Sequence, residues 1–213
     1  MIKSRIICLA ILLFAFGSVF ADPIIAVDFR GSDWDAADHS DSFTVDGVTA
    51  TAQNSNDGLY HDNVDGLGIR GGADNDEIDG DELLSITLAD GYYDSHGLID
   101  GFFLTDLFQA PDGGDGESGW VDVFLAGNAF LGRFDFHMTE ASANGEYWVA
   151  FGGAYEIYQL IFGSDGRSGN EYSLAGLTST PSVPEPGTMA LLGLGLLMLA
   201  VSRRRRTQGH ASA

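Results

Sequence analysis

Two stretches of the chain gather the side chains best able to do chemistry, and both are acidic. Asp74-Asn75-Asp76-Glu77-Ile78-Asp79-Gly80-Asp81-Glu82 packs hard oxygen donors into a short segment between apolar runs. Ca²⁺ takes about six to eight such ligands, and loop carbonyls can complete the shell. Asp74, Asp76, Glu77 and Asp79 are the candidate ligands. The spacing is not that of an EF-hand: with Gly80 as the loop glycine, Asn75 falls at position one and Ile86 where the bidentate glutamate belongs. The second stretch sets Asp33, Asp35, Asp38 and Asp41 around Trp34 and His39. Asp33, Asp35 and Asp38 form a second candidate calcium set. Trp34, flanked by two carboxylates on an expected loop, is the candidate aromatic for stacking on a sugar ring. For both stretches the plain alternative is a solvated acidic loop.

Enzyme signatures are mostly missing. His39, His61, His96 and His137 show no His-Glu-x-x-His spacing for zinc, and no Gly-x-Ser-x-Gly elbow presents a serine. His137 is expected on the outer face of its strand. The expectation is a non-enzyme. The alternative is a secreted hydrolase acting on polysaccharide through paired carboxylates, a chemistry defined by separation in space.

Charge limits the partners. The chain has 31 acidic residues against 10 lysines and arginines, a net charge of −21. Only Glu185 of the acids lies outside 22–183, and only Arg30, Arg70, Arg133 and Arg167 of the bases lie inside it, so this span carries 30 negative and 4 positive charges, −26. Such a surface repels nucleic acid and anionic polymers, and screening cations favour its compact form.

The two ends read as addresses. Met1 to Arg5 is a short basic segment, Ile6 to Phe20 is apolar, and Val19-Phe20-Ala21 offers small residues for signal peptidase, so 1–21 is expected to be a signal peptide. Cys8 leaves with it, and the mature chain then has no cysteine to staple a fold. At the other end come Ser179-Thr-Pro-Ser-Val183 as a linker, Val183-Pro184-Glu185-Pro186, an uncharged run from Gly187 to Ser202, and Arg203-Arg204-Arg205-Arg206. The run is about 24 Å long as a helix. That nearly spans a bilayer core of about 30 Å, with the arginines marking the cytoplasmic flank. Residues 207–213 would be a cytoplasmic tail. Pro184 and Pro186 keep the peptide above the membrane extended.

Val-Pro-Glu-Pro, an apolar run and an arginine cluster in that order resemble the PEP-CTERM sorting signal. The resemblance implies an exosortase as processing partner, anchoring in the inner membrane before processing, and delivery to the cell surface or extracellular matrix, often among exopolysaccharides.

Between the addresses, 22–178 reads as one all-β domain. Phe43-Thr-Val45 and Val48-Thr-Ala50 flank Asp46-Gly47, the pattern of a type I′ hairpin. Phe130 to Met138 and Tyr147 to Phe151 alternate around Asn144-Gly145 and suggest a second hairpin. Further strands are expected at 24–29, 83–88, 98–108, 120–126, 155–163 and 172–177, with no helical period among them. The predicted fold is an antiparallel two-sheet sandwich, jelly-roll-like, flanked by a signal helix and a C-terminal transmembrane helix. Asp65-Gly-Leu-Gly-Ile69, Asp76-Glu-Ile-Asp79, Leu104-Thr-Asp-Leu-Phe108 and Glu171-Tyr-Ser-Leu-Ala-Gly176 also resemble stretches of β-sandwich ectodomains of PEP-CTERM proteins. The expected role is a structural or carbohydrate-binding module, stabilised by calcium.

Overall fold

The computed structural model describes residues 24–71, 76–108, 116–138, 145–166 and 170–179. The expected signal peptide, the sorting signal with Val183 to Pro186 and Arg203 to Arg206, the transmembrane run and the tail lie outside these residues. So does Asp74. Among the described residues no helix is long and apolar enough to cross a membrane. The chain divides into two compact units, 1–181 and 182–213.

The first unit is all-β, with two antiparallel sheets. Its strands are β1 (Ile24–Asp28), β2 (Ser42–Val45), β3 (Val48–Gln53), β4 (Leu59–Asp62), β5 (Gly66–Ile69), β6 (Leu83–Leu88), β7 (Ile99–Thr105), β8 (Ser118–Leu125), β9 (Ala129–His137), β10 (Tyr147–Tyr155), β11 (Ile157–Ser164) and β12 (Ser173–Ser179). Sheet one runs β10-β7-β12-β5-β4, with β1 also on β12; sheet two runs β2-β3-β6-β11-β8-β9. The strand β12 reaches Ser179 and so takes in the first residue of the expected linker.

Period-two alternation makes these strands and joins the sheets. Phe102 of β7 meets Phe162 of β11 at 5.2 Å and Phe136 of β9 at 5.7 Å between ring centroids, so the inner faces interlock through aromatics. Leu84, Ile86, Val121, Val123, Leu160 and Phe162 supply sheet two's inward face, and Leu67, Ile69, Leu104, Leu174 and Leu177 that of sheet one. The first hairpin forms as expected: Asp46 and Gly47 both take left-handed backbone, φ 46° and 82°, as a type I′ turn requires.

The second expected hairpin does not form. The strand β9 pairs with β8 in sheet two and β10 with β7 in sheet one, so the chain crosses between sheets there. Phe134 and Phe151 face each other across the core at 5.0 Å. Two alternating strands bury the same residues whether they lie side by side or face to face, so periodicity could not separate the cases. At Glu156 the chain crosses again, because Tyr155 pairs with Ile99 and Ile157 with Leu125.

Four short elements depart from the expected pattern. The strands β4 and β5 are only four residues each, too short for alternation to announce. A helix, α1 (Tyr92–His96), stacks Tyr92 on His96 at 4.2 Å. A 3-10 turn at Ser32–Ala37 carries Trp34 inward.

Candidate functional site

Trp34 is not an exposed platform. It is 2% exposed and packs edge-on against Phe29 at 4.9 Å and Phe43 at 6.1 Å. The 3-10 turn rotates its indole into the core while Asp33 and Asp35 point to solvent. The carboxylates beside it do not converge. Asp38 accepts two hydrogen bonds from Arg70, at 2.9 and 2.7 Å, and Asp35 lies 3.6 Å from Nδ1 of the buried His61. Arg70 also covers the Tyr60 ring at 4.7 Å. The loop is therefore a clasp, tied down by Trp34 and neutralised at Asp38.

The other acidic stretch is divided by the fold. Asp79 and Glu82 close their own buried turn, Glu82 N–H donating to the Asp79 carbonyl at 3.0 Å and Asp79 N–H to Glu82 Oε2 at 3.3 Å. Glu82 is 3% exposed, and burial pushes its carboxyl up to about 7. Asp76 and Glu77 instead join acids from elsewhere. Gly68 makes this approach possible, since a side chain there would collide with the Asp76 carbonyl, and Ile69 N–H donates to the Glu77 carbonyl at 3.2 Å.

The gathering point is one end of sheet one, where β5 begins, β7 ends and β12 begins. Asp65 precedes β5, Asp106 follows β7 with a left-handed φ of 56°, Glu171 precedes β12, and Glu117 leads into β8. Burial pushes Glu77 up to about 9, with Glu171, Asp106, Asp76 and Glu117 adding like-charge repulsion. Burial also raises Asp106 to about 7, helped by the charge of Asp65, with which it shares a hydrogen bond. Glu117 is raised to about 7 by burial, against the stabilising N–H of Phe108. Asp62 goes the other way: burial opposes its ionisation, but the N–H groups of Asp65 and Val64, both 2.7 Å away, outweigh it. Oε2 of Glu77 is buried and has no hydrogen-bond partner among the described residues. Arg30, Arg70 and Arg133 are engaged elsewhere, on Asp28, Asp38 and Asp122. Among the described residues, however, no three His, Cys, Asp or Glu side chains close to a metal-ligand set.

Each stretch that carried the ectodomain resemblance delivers an acid to this end: Asp65, Asp76 with Glu77, Asp106 and Glu171. Sequence reasoning quoted these stretches but did not join them. Asp65 and Asp106 are isolated acids in the chain, and only the pairing of β7 with β12 and β12 with β5 brings them together.

A second site lies on the outer face of sheet two. Register sets Gln53, Leu83, Gly163, Trp120 and Asp135 in one row, and Ser42, Thr51, Ser85, Ile161, Asp122 and Arg133 in the next. Trp120 lies over Gly163, where any side chain would displace it, and donates Nε1–H to the Ser164 carbonyl at 3.1 Å. Arg133 lies over the Trp120 ring, 3.7 Å from its centroid, and holds Asp122 at 2.6 and 2.7 Å. At the end of this row a cavity of about 360 Å³ is lined by Ser118, Trp120, Asp135, His137 and Asp165. His137 stands on the outer face, as expected. Trp148, on sheet one, is 44% exposed and stacks on Phe103 at 4.2 Å. The tryptophan of the 3-10 turn is therefore core, and those of the strands reach the surface.

Fold and sites together define a strongly acidic, sandwich-like all-β domain followed in the chain by a separate C-terminal unit. That unit is recognisable: residues 182–206 match the PEP-CTERM protein-sorting motif. The motif implies export, a membrane-anchored sorting signal and processing by an exosortase. No curated protein and no solved structure matches the chain.

Proposed function

We propose that this is a surface or matrix protein whose sandwich, wound in a jelly-roll-like manner, binds extracellular polysaccharide on the outer face of sheet two without cleaving it. Removal of a signal peptide at 1–21 and processing near Pro184-Glu185-Pro186 would deliver it there. The supporting observation is the face itself: hydroxyl, amide and carboxylate side chains in register, ending in an immobilised Trp120 beside an open cavity. Sugar rings pack on apolar walls while such polar groups take their hydroxyls. Affinity from an open face is modest, with dissociation constants on the order of micromolar to millimolar.

Calcium belongs to the same proposal, now at the sheet-one end. Six carboxylates from five segments, Asp65, Asp76, Glu77, Asp106, Glu117 and Glu171, act on one another's charge there, although among the described residues no three of them close to a ligand set. A divalent cation drawing Glu77 and Asp106 inward would allow them to ionise.

The test is a glycan array read with wild type, Trp120→Ala and, as a control on the opposite sheet, Trp148→Ala. Binding lost only in Trp120→Ala supports the reading, and no binding by wild type rejects it in favour of a purely structural role. Asp135 and Asp165 line one cavity, so reducing ends released during the assay would favour the hydrolase instead.

A further inference from the structure

The outer face of sheet two carries a third row of side chains, away from the cavity at Trp120. Register places Thr44, Thr49, Thr87, Gln159, Phe124 and Phe130 side by side across the sheet, from β2 to β9. Neighbouring strands lie about 4.8 Å apart, so the row is about 24 Å long. Ala50, Ile86, Leu160 and Val123 alternate with these residues and turn into the core, which sends the row outward. Thr44 is exposed, Phe130 is 58% exposed, and the four between are half-buried. The rings of Phe124 and Phe130 tilt against each other, 5.3 Å between centroids.

The row is polar without being charged. Thr44 and Thr49 share one hydrogen bond at 2.8 Å, which spends one of their two O–H donors, and Gln159 gives one N–H to Ser85 in the next row at 2.8 Å. Donors and acceptors therefore remain along it, steadied by their neighbours. The strands β2, β3, β6 and β11 contain no charged residue, whereas 22–183 carries 30 acids and 4 arginines in 162 residues. Core packing explains the inward half of those strands. The outward half faces water and could have carried acids, yet it is filled by hydroxyls, amides and aliphatic groups. In the next row Asp122 and Arg133 neutralise each other at 2.6 and 2.7 Å.

A ligand suited to this row is uncharged and rich in hydrogen-bonding groups. A uronic-acid or sulfated chain would meet no cation in the row and would be repelled by a domain of net −26. An amino-sugar chain would find no carboxylate in the row and would be drawn to the acidic surfaces elsewhere. A neutral sugar chain gives up water but no charge, and its hydroxyls regain partners on threonine and glutamine while a ring packs on Phe130.

Resting on the polysaccharide-binding reading above, we infer that the polymer is a neutral glycan whose chain lies along this row, one ring stacked on Phe130 and its hydroxyls bonded to Thr49, Thr87 and Gln159. The full chain is screened on an array of neutral, amino-sugar and uronic-acid oligosaccharides, and its strongest hit is titrated calorimetrically. That hit is neutral, and its affinity changes less than about twofold between about 50 and about 500 mM salt, since the contact holds no charge to screen. Phe130→Ala weakens binding about tenfold, and Thr49→Val combined with Thr87→Val does so by a similar factor. Trp148→Ala, an exposed aromatic removed from the opposite sheet, leaves it within about twofold. Phe130 is exposed and valine suits a strand, so both sets of changes keep the fold, as melting curves check.

A uronic-acid or amino-sugar hit, or an affinity that falls steeply with salt, overturns the neutral chain and leaves polysaccharide binding standing. A neutral hit kept at full affinity by Phe130→Ala and by the threonine pair overturns the row, and its loss in Trp120→Ala would leave the reading itself standing. No hit of any class removes the underlying reading together with the inference.

Discussion

The two acid-rich stretches look alike in the chain and behave oppositely in the fold. Asp33, Asp35 and Asp38 are carried on a turn whose tryptophan is buried, so their carboxylates stay at the surface and the one nearest a base, Asp38, is neutralised by Arg70. Asp76 and Glu77 are pressed onto β5 and meet acids from β7, β8 and β12, where burial and mutual repulsion raise Glu77 to about 9. Local density of acids therefore does not make a site. Convergence from distant segments, with partial loss of water, does.

The sharpest break in the comparison comes from Trp34. If the first stretch is a clasp, Trp34→Ala removes a core aromatic and lowers unfolding free energy by about 3–5 kcal/mol, measurable by denaturant titration. A loss of glycan binding with stability unchanged would restore the exposed-platform reading.

Next in size is the pH response of the second stretch. Glu77, Asp106 and Glu117 have raised folded-state values, so between about pH 4 and pH 9 the folded form holds more protons than the unfolded one. Their contribution is fully present below the unfolded values and is lost as pH rises through the folded ones. Without divalent ions, the melting temperature should fall by roughly 5 °C or more from pH 5 to pH 8 on account of this cluster. Glu77→Gln combined with Asp106→Asn should flatten that slope, and an unchanged slope would place the protons elsewhere.

Calcium sharpens the same contrast. At pH 8 and matched ionic strength it should raise the melting temperature by a few degrees more than magnesium, because flexible oxygen clusters suit the larger ion. The Glu77→Gln, Asp106→Asn variant should lose this difference, whereas Asp33→Asn, Asp35→Asn should keep it. Identical shifts with both ions in wild type would reduce the effect to screening.

The smallest effects belong to the surface of the clasp. Arg70→Ala should cost about 1 kcal/mol or less, the scale of a partly exposed ion pair with a cation–π contact. Asp33→Asn with Asp35→Asn should stay within about 0.5 kcal/mol of wild type. A larger cost from the double change would mean that these acids hold something after all.

What the sequence by itself determined was local or linear. The sorting motif is an ordered string and needs no fold to be read. Alternation named ten of the twelve strands among the described residues, and the adjacent Asp46 and Gly47 specified the β2–β3 hairpin because a type I′ turn is decided by its own two residues. Only the tertiary structure decided partners. Alternation says which face of β9 and β10 is apolar but not whether they pair or oppose, and their opposition across the core sent β10 to β7. Flanking charges suggested an exposed Trp34, yet what covers a side chain is set by residues remote in sequence, here Phe29 and Phe43. The carboxylate cluster is the same case in electrostatic form. Asp65, Asp106 and Glu171 carry no local signal, and their raised or repelled states arise only once three strand ends meet.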